Sequence, residues 1–292
     1  MLIGCITGPD LETAKSQIKL AQSFCDGIEL RRDLLEADIT ISEGFVITTE
    51  NGRSTLSTGQ TLSTYHNFDE TPEDLDAILK GMPPADFYKI CTMANKTTDA
   101  LRMLAFVKDQ PNVAGMCMGA LGQITRILGP VMSNPFTFAA LGEEAAPGQM
   151  QAEELVKIYH FHRLSPRTQI YGLIGNPIAQ SPSHNTHNAY FRQRDIDAIY
   201  MRMLLTEEEL PLFFDLAKQL GIQGLSVTMP FKEKLFPYID VLEGDAKEIG
   251  AVNTLAFGDC VYGSNTDGKG ALDAIEDKTS VRGKHCVILG AG

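Results

Sequence analysis

The sequence predicts an α/β protein in which an N-terminal (β/α) barrel-like half is followed by a second α/β unit and a last strand running into a glycine-rich turn. In the first half, short apolar segments end in charged residues, as strands do at the mouth of a barrel. In the second, the β-rich stretch Leu225-Ser226-Val227-Thr228 is closed by Pro230 and followed by Lys232, a strand-to-helix junction where side chains converge on a cleft. At the C-terminus, Lys284-His285-Cys286-Val287-Ile288-Leu289 reads as a buried parallel strand entering Gly290-Ala291-Gly292.

Met1–Thr7 is the first strand, residues 11–24 carry a helical pattern, and Gly27-Ile28-Glu29-Leu30-Arg31 is a second strand ending in charge. A third ends near Glu50. Leu62–His66, Asp86–Cys91, Gly115–Gly119 and Phe136–Ala139 follow as strands, with Ala146-Pro147-Gly148-Gln149 a turn beyond the last. Only residues 51–61 separate the third strand from the one bearing His66, too few for a strand plus a crossover helix of at least 10–12 residues. The barrel half is therefore expected to lack one βα unit. Leu164-Ser165-Pro166-Arg167-Thr168 is the joint between two expected cores.

The chain has 292 residues, 43% of them apolar, and a formal charge of -12. That charge argues against nucleic acid or an anionic membrane as partner, so anionic small molecules must be met by local arginines and lysines. The six cysteines show no Cys-x-x-Cys pairing and read as reduced thiols. No stretch approaches membrane-spanning length and the N-terminus does not read as a signal or transit peptide, so a cytoplasmic enzyme is expected. His160 with His162 and His184 with His187 have no carboxylate or cysteine at ligand spacing, and no metal is expected.

Four segments carry the chemistry of the second half: GNPIAQSPSHNTHN at 175–188, GLSVTMPFK at 224–232, GAVNT at 250–254 and GSNTDGKG at 263–270. Each alone is an ordinary turn or helix start. Together they supply the hydroxyls of Ser181, Ser183 and Thr228, the amide of Asn253, and Lys232 and Asp267, a set suited to a polyhydroxylated carboxylate. In order and spacing they resemble the substrate-binding domain of shikimate dehydrogenase. The resemblance implies that Lys232 and Asp267 relay a proton at a substrate hydroxyl while the other four bind shikimate. It also implies that Gly290 and Gly292 open a Rossmann domain for NADP; a third glycine, a following helix and a ribose-binding side chain are not present, and NADPH is not expected to bind.

The strand ends of the first half resemble type I 3-dehydroquinate dehydratase. That resemblance implies that Lys89 forms an imine with the ketone of 3-dehydroquinate and that His66 moves protons. It further implies that Glu29, Arg31, Arg126 and Gln149 bind substrate or tune the base, with Arg126 facing the substrate carboxylate. Burial beside Phe87, Tyr88 and Ile90 is expected to lower the Lys89 pKa. Two departures stand out: Glu50 where the family has arginine at the end of its third strand, and Ala145 where it has serine before Pro-Gly-Gln.

The chain is thus identified as a member of the bifunctional dehydratase/dehydrogenase family. Residues 1–163 are dehydratase-like, 168–283 form the dehydrogenase substrate domain, and 284–292 begin its nucleotide domain. The dehydratase product, 3-dehydroshikimate, is the ketone the dehydrogenase reduces to shikimate. The competing readings are a catalytically silent sensor of such metabolites, or a quinate dehydrogenase.

Overall fold

A computed structural model describes all residues except 37, 38, 40, 42, 43, 51, 52, 109, 291 and 292. The first half runs β1 (Leu2–Ile6), α1 (Leu11–Phe24), β2 (Gly27–Arg31), β3 (Phe45–Glu50), β4 (Arg53–Leu56), β5 (Thr61–Asn67), α2 (Leu75–Gly81), β6 (Phe87–Met93), α3 (Thr97–Val107), β7 (Val113–Met118), α4 (Gln123–Leu128), β8 (Thr137–Ala139) and α5 (Ala152–Lys157). Local sequence sets the helix starts: Asp10 caps α1 through the Thr13 amide, and Asp74 caps α2 through that of Ala77.

The eight strands form one nearly closed sheet in the order β7-β6-β5-β4-β3-β2-β1-β8. All neighbours are parallel except β4, which is antiparallel to both β3 and β5. Here the structure corrects the expectation for residues 51–61. No crossover helix lies there among the described residues, but the strand position is filled, because an antiparallel neighbour does not need the crossover that a parallel one does. The sheet therefore stays continuous across the shortened region. Its seam lies between β7 and β8, which no strand pairing joins among the described residues. Side chains span it instead: Arg126 Nη1 donates to the Phe138 carbonyl at 2.9 Å, and Asn134 Nδ2 to the Gly115 carbonyl at 2.8 Å.

Strand alternation divides the first half into two apolar layers. Ile3, Cys5, Ile47, Leu62, Cys91, Met116 and Phe138 point inside the sheet, while Leu2, Ile6, Ile90, Val113 and Cys117 face the helices outside.

The second half continues with β9 (Gln169–Gly175), α6 (Ser183–Gln193), β10 (Ala198–Leu204), α7 (Leu210–Leu220), β11 (Ile222–Val227), β12 (Val241–Leu242), α8 (Ala246–Ile249), β13 (Thr254–Phe257), β14 (Val261–Ser264) and α9 (Asp267–Glu276). Its sheet order is β10-β9-β11-β13-β14-β12, parallel across β10, β9 and β11 and antiparallel at β13.

The two halves share a buried cluster, while each also has one of its own. Helix α3 buries Leu101, Leu104 and Val107 in the same cluster as Phe213, Phe214 and Leu220 of α7. Each such side chain is worth about 1.5–3 kcal/mol when taken from water. Glu209, 4% exposed, locks the junction. Its Oε1 accepts from the amide and hydroxyl of Thr98, in the first turn of α3, at 3.0 and 3.1 Å, while its Oε2 accepts from the Thr206 amide at 2.8 Å. One carboxylate thus caps helices from both halves. Glu209→Ala should cost about 2–4 kcal/mol by leaving these donors unpaired. Urea unfolding monitored by circular dichroism would read the loss; an unchanged midpoint would exclude the lock.

Residues 284–289 do not form the expected strand. Val287, Ile288 and Leu289 are 84%, 85% and 93% exposed. An apolar run becomes a strand only when a neighbour takes its backbone hydrogen bonds and a layer covers its side chains. Neither is present among the described residues.

Candidate active sites

The sequence-derived residues of the first half come together. A cavity of about 290 Å³ inside the sheet is lined by Glu29 and Arg31 from β2, His66 from β5, Lys89 from β6, Arg126 from α4 and Gln149 from the turn after β8. Gly148 makes that turn possible. Its φ is +72° and a Cβ there would meet the Gly119 carbonyl at 2.4 Å, so only glycine lets the chain pass and aim Gln149 inward.

Lys89 is 8% exposed and its Nζ has two partners, Glu29 Oε1 at 3.4 Å and the Phe138 ring, whose centroid is 3.6 Å away. The expected apolar wall of Tyr88 and Ile90 is corrected: as alternate strand residues, both turn to the outer layer, and Phe138, Cys91 and Met116 line the cavity instead.

Glu29, 2% exposed, is held by a dense set of donors. Oε1 accepts from Lys89 and, at 2.9 Å, from Thr49 Oγ1; Oε2 accepts from Cys5 Sγ at 3.3 Å. Burial alone would push its pKa up, but the Lys89 charge and the Thr49 hydrogen bond outweigh it and hold the carboxyl below its usual range. Gln149 accepts the Ala145 amide at 2.8 Å and donates to Cys5 Sγ at 3.1 Å. Burial, with the Glu29 charge beside it, pushes the Cys5 thiol up to about 12, so it stays protonated and donates.

Arg126 is 2% exposed. Beyond the Phe138 carbonyl, its Nη1 reaches Met116 Sδ at 3.4 Å; its Nε is buried without a partner, and no carboxylate pairs with it among the described residues. A buried guanidinium on a cavity wall with no counter-charge is complementary to an anion. Arg31, by contrast, is forked onto Asp33 at 2.7 and 2.9 Å.

His66 sits at the mouth, stacked on Phe68 with ring centroids 6.0 Å apart. Desolvation, and then the Lys89 charge, depress its pKa to about 4. The residue is exposed, and solvent screens part of that depression. The imidazole is therefore neutral at pH 7. Between pH 6.5 and about 4 the unfolded chain binds a proton that the folded one does not, so this contribution to stability is full above 6.5 and lost as pH falls. An NMR titration should place the His66 midpoint below 6.5; a midpoint at or above that value would contradict the environment described.

Sequence reasoning missed Thr49, Ser54, Cys5 and Asp33. The alternation Ile3, Cys5 in β1 could have found the thiol. Ser54 could not be found, because the strand carrying it was read as a linker. Glu50 is exposed and does not line the cavity; Thr49, its neighbour, does.

In the second half, register brings the C-terminal ends of β9, β10, β11 and β14 and the start of β13 to one sheet edge. Lys232 Nζ pairs with Asp267 Oδ2 at 2.5 Å, and Asn253 Nδ2 donates to Asp267 Oδ1 at 2.7 Å. The Lys232 ammonium, with Asn253, holds the Asp267 carboxyl below its usual range against partial burial. Ser181 and Ser183 hydroxyls meet at 2.8 Å after β9, and Arg202 fixes their turn through the Ala179 carbonyl. Thr228 packs its methyl against Gly175 at the end of β9. The structure thus makes one polar group of Lys232, Asp267 and Asn253 and another of the two serines, with Thr228 between their strands.

Gly290 is described, in a positive-φ turn; Gly292 lies outside the described residues. No group of three or more His, Cys, Asp or Glu residues that could hold a metal is found among the described residues, nor a helix long and apolar enough to cross a membrane.

Residues 53–166 match the family model of type I 3-dehydroquinase, and 173–255 that of the shikimate dehydrogenase substrate binding domain. The shikimate biosynthesis protein AroDE of Chlamydia pneumoniae is 32% identical over all of this chain and 72% of its own length. The chain belongs to that bifunctional family. It is also 30% identical to the chloroplastic bifunctional 3-dehydroquinate dehydratase/shikimate dehydrogenase of Arabidopsis thaliana, over 91% of this chain and 47% of the relative. Its second half is 43% identical to the NADP(+) shikimate dehydrogenase of Methanothermobacter thermautotrophicus, over 44% of this chain and 46% of the relative. The chain thus spans less than half the length of these last two. The match to the Chlamydia protein runs to 344 positions, so that relative has segments without counterpart here.

Proposed function

We propose that the first half dehydrates 3-dehydroquinate through an imine on Lys89, and that the second half binds shikimate and 3-dehydroshikimate. The observation that carries the dehydratase reading is the buried Lys89 facing Glu29 in one cavity with His66 and the unpaired Arg126.

The Arg126 guanidinium takes the substrate carboxylate and orients the ring. Lys89 adds its amine to the ketone and water leaves, giving an iminium that draws electrons from the adjacent carbon. His66 removes a proton from that carbon. The hydroxyl on the next carbon leaves as water with the proton that His66 returns, and hydrolysis of the conjugated iminium frees Lys89 and releases 3-dehydroshikimate. One water is lost overall. Glu29 keeps a fixed negative charge beside Lys89 throughout. Ultraviolet absorbance of the conjugated product during incubation with 3-dehydroquinate tests the activity: a rise above that of a Lys89→Arg variant supports it, and none refutes it.

In the second cleft, Lys232 and Asp267 are paired as a relay that gives or takes a proton at the substrate hydroxyl needs. NADP, the cofactor named for the Methanothermobacter relative, would take or give the hydride. Residues 284–290 of this chain form neither a strand nor a helix N-terminus, so they do not fit a bound pyrophosphate. Shikimate should bind at the serines, and Ser183→Ala should weaken it by about 1.5–3 kcal/mol, the worth of a hydrogen bond to a charged group. Calorimetry giving equal affinity for both proteins would remove Ser183 from the site.

A further inference from the structure

The short antiparallel strand β4 brings a group into the dehydratase cavity that neither the motifs nor the family matches assign. Ser54, 5% exposed, lines the cavity from the position where a crossover unit is missing. Its Oγ lies 2.9 Å from Thr49 Oγ1, which in turn lies 2.9 Å from Glu29 Oε1.

Hydrogen counting fixes the direction of this chain. Glu29, ionised beside Lys89, can only accept, so the single Thr49 hydroxyl proton goes to it. Thr49 then has only lone pairs left, and the Ser54 proton must fill one of them. Ser54 is left with lone pairs and no proton to offer the cavity. We propose that Ser54 is a specificity-determining contact that accepts a hydrogen bond from a ring hydroxyl of the polyhydroxylated carboxylate bound in the cavity.

The inference rests on the dehydratase reading and fits the geometry of the shortened sheet. A parallel strand reached by a crossover would lie with its end at the mouth. The hairpin instead turns back after β3, and places Ser54 opposite Thr49 in register. Two hydroxyls thus stand where the site needs polar groups, one committed to Glu29 and one facing the ligand. A ligand with a hydroxyl at this point gains a hydrogen bond, whereas a deoxy analogue leaves the Ser54 lone pairs dry.

The test reads the barrel cavity alone. Borohydride labelling of Lys89 by 3-dehydroquinate is competed with quinate, which has a hydroxyl in place of the ketone and so cannot form an imine. In Ser54→Ala, Lys89 should still be labelled at saturating 3-dehydroquinate, and the quinate inhibition constant should rise about 5–10-fold, the size of one hydrogen bond. Ser54→Thr, which keeps the hydroxyl, should restore it. Equal inhibition constants in wild type and Ser54→Ala would overturn the contact while leaving the Lys89 reading intact. Loss of labelling at saturation would make Ser54 a structural residue and also overturn it. Absence of labelling in wild type would refute the dehydratase reading, and this inference with it.

Discussion

Lys89→Arg is expected to lower dehydratase turnover about 10⁴-fold or more, because the positioned amine is worth effective molarities of roughly 10⁵–10⁸ M and no other group in the cavity can form the imine. Arginine keeps the positive charge that Glu29 faces at 3.4 Å, so the fold should survive. Lys89→Met should differ. It leaves the Glu29 carboxylate, 2% exposed, buried without its counter-charge, at a cost of about 3–5 kcal/mol. Steady-state rates and urea midpoints for the two variants would separate chemistry from stability. A Lys89→Arg rate within tenfold of wild type would remove the imine from the mechanism.

Arg126→Met should move activity and stability in opposite directions. The guanidinium is buried with its Nε unpartnered and no carboxylate beside it among the described residues, a cost the free protein bears until an anion arrives. Methionine relieves that cost, so the variant should be as stable as wild type or more so. It should also lose about 2–5 kcal/mol of binding to the substrate carboxylate, a rise in KM of roughly 30-fold to several thousandfold. The lost bond to the Phe138 carbonyl across the β7–β8 seam offsets part of the stability gain. A variant less stable than wild type with KM unchanged would make Arg126 a seam residue and nothing more.

The residues lining the first cavity were more legible in the sequence than the scaffold that holds them. Glu29, Arg31, His66, Lys89, Arg126 and Gln149 were legible through the resemblance of the segments that carry them, on β2, β5, β6, α4 and the Pro-Gly-Gln turn. Their gathering into one cavity follows from sheet order and register. Strand β4 was not legible: four residues, Arg-Ser-Thr-Leu, read as polar linker because so short a strand has no alternation long enough to register. The junction of the two halves was hidden for another reason. Glu209 is a surface-type residue in sequence, and only the packing of α3 on α7 turns it into a buried double cap. In the C-terminal segment Val287–Leu289 has the composition of a strand but no neighbour to pair with among the described residues.

The central claim is that Lys89, in its cavity with Glu29 and Arg126, forms a covalent imine with the ketone of 3-dehydroquinate. Incubating the protein with that ketone and borohydride, then mapping peptides by mass spectrometry, tests it most directly. The account predicts one reduced adduct, carried on the peptide containing Lys89 and absent from Lys89→Arg. An adduct on another lysine, or none at all in a folded protein, would contradict it.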